Sequence, residues 1–349
     1  MTDVTPVRPE KPWQSSPKER VISALILLAG VLSSYVIVAL TPMEGKLAYA
    51  FVFFFAFTLY EFIYSFLTRG IALAKDSIAR AVVAAGIALA VAPIISILGT
   101  VFMRGYKGIH LSLFTKDMRL NSVSDPVDQG GLLHALTGTG ILVLVALIIS
   151  VPLGILTAVY MTEIKGRFVK PIKFLVQAMS GVPSIVAGLF ILSAVVYPIT
   201  KAYSGFVGAL ALSILMIPTI ARTSEEVLLL IPNDLREAGV ALGGTQWRTV
   251  AMVVVPAAKS GLVTAMILGI ARIAGETAPI LLLTGGGDAV NGNAFSGPMG
   301  SLPFYIWKAY AVGTPESVTR AWAGILVLLL IVLVLFVSAR ILSERRTSN

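Results

Sequence analysis

The chain has 349 residues, 56% of them hydrophobic against 13% charged, with a formal net charge of +9 and a mean hydropathy of +0.88. A water-soluble domain carries roughly a quarter of its residues as charges, so a cytosolic enzyme, a disordered chain and a fibrous chain are excluded, and a membrane protein is what remains. Without cysteine there is no disulfide, thiolate or iron–sulfur chemistry, and two histidines are too few for a His-ligated metal centre, so no metal is expected.

Met1–Arg20, with Pro6, Pro9, Pro12 and Pro17 among polar residues, reads as a cytoplasmic tail. Its charge ahead of the first apolar run imitates a signal-peptide n-region, but no A-x-A-like cleavage site follows, so the run stays as a membrane anchor. A spanning helix needs about 20 mostly apolar residues. Eight such windows lie near 21–40, 47–67, 78–103, 134–161, 172–197, 206–221, 258–283 and 321–342. The predicted fold is all-α and polytopic, with about eight transmembrane helices.

With the amino terminus inside, 18 of the 27 Lys and Arg fall on inner segments and eight on outer ones. The positive-inside rule then puts both termini in the cytoplasm, as an even number of spans requires. The basic surplus is therefore mostly topological, and no nucleic-acid partner is expected. Arg272 belongs to neither side. The predicted outer loops Arg104–Leu133 and Thr284–Thr319 are long enough to carry structure and to meet an extracytoplasmic partner.

Within the fifth window Gly181 and Pro183, followed by Ser184, are helix breakers; a local kink beside a transport pathway and a packed kink between neighbours are both open. Arg222 and Glu225 at the inner end of the sixth window read as an interfacial group. Glu61 reads as snorkelling to the nearby edge, and His134 as a boundary residue.

Between the sixth and seventh windows the polar run Leu235-Arg236-Glu237-Ala238-Gly239-Val240-Ala241-Leu242-Gly243-Gly244-Thr245-Gln246-Trp247 departs from ordinary loop composition. Asn233 or Asp234 is placed to cap a short helix, Gly243-Gly244 to end it, and Trp247 to offer an apolar contact. Such a helix at the cytoplasmic face suits a groove on a soluble partner. The stretch resembles the EAA loop of ABC-importer permeases, in which E-A-A is followed by three residues, G, nine residues and I-x-L-P. Counted from Glu237, the glycine falls at Gly243, the aliphatic pair at Val253 and Val255, and the proline at Pro256. Gly239 replaces the third motif residue, and valines stand for Ile and Leu.

The resemblance implies a coupling helix, with Arg236, Glu237, Ala238, Gly239, Gly243, Trp247 and Pro256 at the contact with an ATPase subunit. The one Gly-Lys pair, Gly45-Lys46, is followed by Leu47, so the chain has no Walker A loop. ATP and magnesium are thus expected on a separate partner, with no cofactor bound directly and no catalytic residue in this chain. Leu111–Thr115, Pro152–Ile155, Ser180–Phe190 and above all Gly269–Pro279 are similar to the A-type permease subunit of high-affinity phosphate importers of the Pst type. That resemblance implies a six-span importer core over 78–345 with its coupling loop at 232–256, two added helices over 21–70, a second permease completing the pore, an ATPase dimer and an extracytoplasmic phosphate-binding protein, all in the bacterial plasma membrane.

Arg272 and Glu276 stand out on their own. Charges inside an apolar span are costly and should face the bundle interior or a water-filled cavity. At i, i+4 they are expected on one helical face, where they either neutralise each other or serve an anion path. The resemblance favours the path, with Arg272, Glu276 and Thr277 lining it. A permease for another oxyanion, molybdate or sulfate, is the near alternative. A secondary transporter or membrane enzyme using the pair as a proton relay is the distant one, and no two-half repeat supports it.

Overall fold

The computed structural model describes residues 17–344, and among them the regular structure is helical, with one isolated bridge between Gly285 and Met299. Six helices are each long and apolar enough to cross a membrane, and two bent helix pairs bring the number to eight if each pair is one span. The chain is a multi-pass helical membrane protein. It divides into two compact units, Met1–Leu98 and Gly99–Asn349.

In the first unit α1 (Pro17–Leu40) and α2 (Lys46–Arg69) form a hairpin turned at Gly45, whose φ of 92° a side chain would resist. Gly30 sits against Phe53 and Phe57, and the Ser33 and Tyr60 hydroxyls meet at 2.6 Å. Much of the outward surface, Leu25, Leu32, Phe51 and Leu59 among it, is exposed and apolar, as hydrocarbon solvent allows. Gly70 starts α3 (Ile71–Gly105), which carries Pro93 and crosses the division between the units. The expected tail lies outside the described residues up to residue 16, and its last residues, Pro17–Arg20, already belong to α1. Arg345 and Arg346, counted above as inner charges, also lie outside them.

In the second unit a short turn leads to α4 (Leu111–Thr115), capped by His110, whose Nδ1 accepts from the Leu113 amide at 3.1 Å. α5 (Leu133–Val159) ends in a wider π-helical turn over Tyr160–Ile164, stopped by Lys165 at φ 52°. α6 (Val169–Ser180) and α7 (Ser184–Ile191), the latter prolonged by a π-helical stretch to Thr200, meet at 105°. The fifth window is therefore two helices, because Pro183 removes an amide and fixes φ just where α7 starts.

α8 (Gly205–Leu229) is the axis of this unit, with 67% of its most apolar window buried, and it outruns the sixth window because Arg222, Glu225 and Glu226 continue the helix below the apolar run. It packs against α5, sharing a core of Leu142 and Ala146 with Leu212, Leu215, Met216 and Ile220. Gly154 and Gly269 stand opposite Ile220 and Met216, which lets backbones approach closely.

After α9 (Asn233–Ala241), α10 (Gln246–Thr249) and α11 (Val255–Ala257) comes α12 (Lys259–Ala274), bent 72° from the α10–α11 segment. α12 ends at Ala274 and α13 (Ala278–Leu283) begins anew, so the seventh window is interrupted at Gly275-Glu276-Thr277. α14 (Leu302–Val312) occupies part of what composition marked as a loop, and α15 (Pro315–Glu344) starts before the eighth window.

Candidate functional site

At the turn after α8, Pro232 rather than Asn233 or Asp234 precedes the first residue of α9, and no side chain caps it. Asn233 Oδ1 instead accepts from Arg236 Nη1 at 3.3 Å. The far end of α9 closes as the sequence foresees: Gly243 takes φ 78°, its amide donates to Val240 O at 2.9 Å, and the Gly244 amide reaches Gly239 O at 3.2 Å. Gly239, the departure from the E-A-A pattern, has a physical reason. A Cβ there would lie 2.5 Å from Thr249 Cγ2, so the buried Thr249 occupies the space of an alanine methyl.

Arg236 turns inward. Its Nε and Nη2 fork onto the two oxygens of Glu163 at 2.9 and 2.8 Å, while Nη1 donates to Ile231 O at 2.6 Å and Nη2 to Leu228 O at 2.9 Å. The Glu163 carboxylate pushes the Arg236 pKa upward by its hydrogen bonds, against the opposing effect of burial. Gln246 Nε2 donates to the Glu163 carbonyl at 2.6 Å. Glu163, Arg236, Gln246, Thr249 and Val254 line a cavity of about 360 Å³ behind α9.

The outward side of this loop carries large apolar side chains where water would be expected. Leu242 is 90% and Trp247 61% exposed, with Leu235, Val240 and Met252 also exposed. Glu237 and Ala238 are exposed as well, and Pro256, the middle residue of α11, is also exposed.

Arg272 and Glu276 do not share a helical face. Gly275 ends α12, the Glu276 amide donates to Ile273 O, and among the described residues no ion pair joins the two side chains. Arg272 Nη1 donates instead to Thr219 Oγ1 of α8 at 3.2 Å. Arg272 is exposed on this chain, in one stripe with Thr264 and Leu268. Thr277 precedes α13, and its Oγ1 donates to Gly275 O at 3.4 Å. Arg222 lies one turn from Thr219 and is exposed, whereas Glu225 pairs with Lys173 of α6 at 2.5 Å.

The bend at Gly181-Val182-Pro183 delivers α7, starting at Ser184, onto α13: Gly188 stands against Pro279, where a Cβ would be 2.9 Å from Pro279 Cα. The two interrupted segments thus meet beside each other.

Composition also missed Arg320. Counted as an outer-loop charge, it is 0% exposed, and Nη2 donates to the carbonyls of Asp125 at 3.3 Å, Pro126 at 2.7 Å and Gln129 at 2.5 Å. It closes the 122–130 loop, and near it Tyr305 is buried with its ring edge-on to His134. His134, the second residue of α5 and so at the start of the span as expected, is 2% exposed and packed in the core.

Among known proteins, the phosphate transport system permease protein PstA 1 of Mycobacterium tuberculosis (strain ATCC 25618 / H37Rv) is 37% identical over 277 residues, 78% of this chain and 89% of that protein. The phosphate transport system permease protein PstA of Pasteurella multocida (strain Pm70) is 38% identical over 254 residues, 72% of this chain and 88% of that one. A solved MetNI methionine ABC transporter in an inward-facing conformation overlaps 62% of this chain and 94% of its own at 20% identity and a TM-score of 0.47. Residues 150–348 match the family described as the binding-protein-dependent transport system inner membrane component. By that match and those identities, this chain belongs to the family of binding-protein-dependent transport system inner membrane components.

Proposed function

We propose that this chain is a permease subunit of an ATP-driven importer that carries inorganic phosphate into the cytoplasm, with both termini on the cytoplasmic side. The observation that carries the coupling is the exposed apolar set of Leu235 and Val240 on α9, Leu242 at its end and Trp247 on α10, with α9 fixed to the bundle by Arg236. A short amphipathic helix that sets its apolar side chains into a groove is a recurring mode of protein recognition. Its occupant here is a separate ATPase subunit, one of a pair that holds ATP and magnesium. A second permease covers the exposed stripe of Arg272 and completes the pore, and an extracytoplasmic binding protein delivers the anion. Phosphate is the substrate favoured by the names of relatives of similar length.

In this mechanism, closure of the ATPase pair moves α9 and with it the bundle. Arg272, held by Thr219, offsets the anion's charge in a medium where an unpaired charge is costly. Glu276 and Thr277, at the unwound break, line the same passage, and the Gly181–Pro183–Ser184 bend shapes its wall. Co-purification with the neighbouring ATPase and permease, followed by phosphate-stimulated ATP hydrolysis in lipid vesicles, tests the reading. Stimulation by phosphate and not by sulfate or molybdate is expected. Failure to retain any ATPase subunit would overturn it.

A further inference from the structure

Glu163 lies outside the loop that the family motif marks, yet both arms of that loop grip it. Its carboxylate takes the Arg236 fork from α9 and its carbonyl takes the Gln246 amide from the start of α10. The side chain is only 5% exposed, at the π-helical end of α5. A forked guanidinium–carboxylate pair fixes orientation as well as distance, which a single contact does not. The same guanidinium donates to Leu228 O, which also accepts from the Ile231 amide, and to Ile231 O, at and just beyond the end of α8, where a helix runs out of its own donors. One side chain therefore ties α9 to α5 and α8 together. These two helices share the main core of this unit, and α8 also carries Thr219, the partner of Arg272.

The geometry points to Glu163 as a positioning residue for coupled transport: the Glu163–Arg236 pair is the joint through which displacement of α9 becomes displacement of the α5–α8 pair and of the cation held on it. This rests on the permease reading above. A joint differs from a plain structural brace in what its loss does. A weakened brace lowers the amount of folded complex, whereas a weakened joint leaves α9 docked and lets ATP turn over without moving the bundle.

The test is made on the whole complex in lipid vesicles with the binding protein inside the assay, measuring phosphate moved and ATP hydrolysed side by side. Glu163→Gln presents an amide to the fork, and Arg236→Lys replaces the fork with a single ammonium. Each is expected to assemble with its ATPase and to move about tenfold less phosphate per ATP, with the double variant no lower than the worse single one. A phosphate-to-ATP ratio within about twofold of the unsubstituted complex in either variant overturns the joint. So does failure of both variants to assemble, which would make the pair a folding element. If the unsubstituted chain itself retains no ATPase, the permease reading fails first and takes this inference with it.

Discussion

Arg272 on α12 and Thr219 on α8 are joined by one hydrogen bond of 3.2 Å from guanidinium to hydroxyl. The bond steers the arginine while leaving its charge uncancelled, which is what a transient anion site needs. Arg272→Gln is expected to cut phosphate uptake by at least about tenfold, the scale of losing one charge-assisted contact, with assembly unchanged. Thr219→Val should cost less, about threefold to fivefold, because the charge stays and only its aim is lost. Uptake of labelled phosphate into vesicles measures both; near-normal uptake by the Gln variant would end the pathway role of Arg272.

Leu242, 90% exposed, sits immediately before the helix-ending Gly243, and Trp247 stands beyond it. Leu242→Asp and Trp247→Ala change side chains that are mostly exposed on this chain, so its thermal stability should fall by no more than about 1 kcal/mol. ATPase retention in a pull-down should nevertheless fall sharply, since exposed apolar anchors carry most of the energy of such contacts. Undiminished retention in both variants would mean that the helix docks elsewhere.

Restoring the family's alanine at Gly239 should harm this chain. Gly239→Ala forces a methyl against Thr249 Cγ2 and is expected to destabilise by about 1–3 kcal/mol. Adding Thr249→Ala removes the obstructing atoms and should return most of that loss, as a double-mutant cycle of melting temperatures would show.

Arg320→Ala strands the carbonyls of Asp125, Pro126 and Gln129 and empties a fully buried site. A loss of about 3 kcal/mol or more is expected, together with protease sensitivity across 122–130. Arg320→Lys should recover only part of it, because lysine has no second terminal nitrogen to fill the place of Nη1, 3.9 Å from Met118 Sδ in this fully buried site.

Tyr305 supplies a pH dependence. Burial pushes its pKa above the ordinary value near 10, with the Arg320 charge working in the opposite direction. A raised folded-state pKa stabilises fully below the unfolded value, and that contribution is lost as pH climbs from about 10 toward the folded pKa. Stability should therefore decline above pH of about 10, and Tyr305→Phe should remove that part of the decline. Because the buried hydroxyl has no hydrogen-bond partner among the described residues, the Phe variant should melt within about 1 kcal/mol of the original at neutral pH.

Much of this architecture is legible from composition and spacing. Apolar runs mark the spans because lipid demands them, and the interval from Glu237 to Gly243 marks the coupling-type helix because a chain leaving a helix there needs positive φ. What stays hidden depends on distance along the chain. Glu163 and Arg236 are 73 positions apart, and nothing local pairs them. Likewise the run around Arg272 stays apolar through Leu283, so hydropathy alone continues the helix across Gly275–Thr277; Gly275 and Pro279 were the available signals of a break. Arg320 shows the reverse error, since a charge near a span end is ordinarily a surface residue and here is enclosed by a folded loop.

That enclosure has a chemical consequence. A guanidinium has only donors, and at this position every oxygen it donates to is a backbone carbonyl, so the latch over residues 122–130 grips the main chain of the loop and none of its side chains. Changes of side chain at Asp125 or Gln129 would therefore leave the acceptors of Arg320 in place.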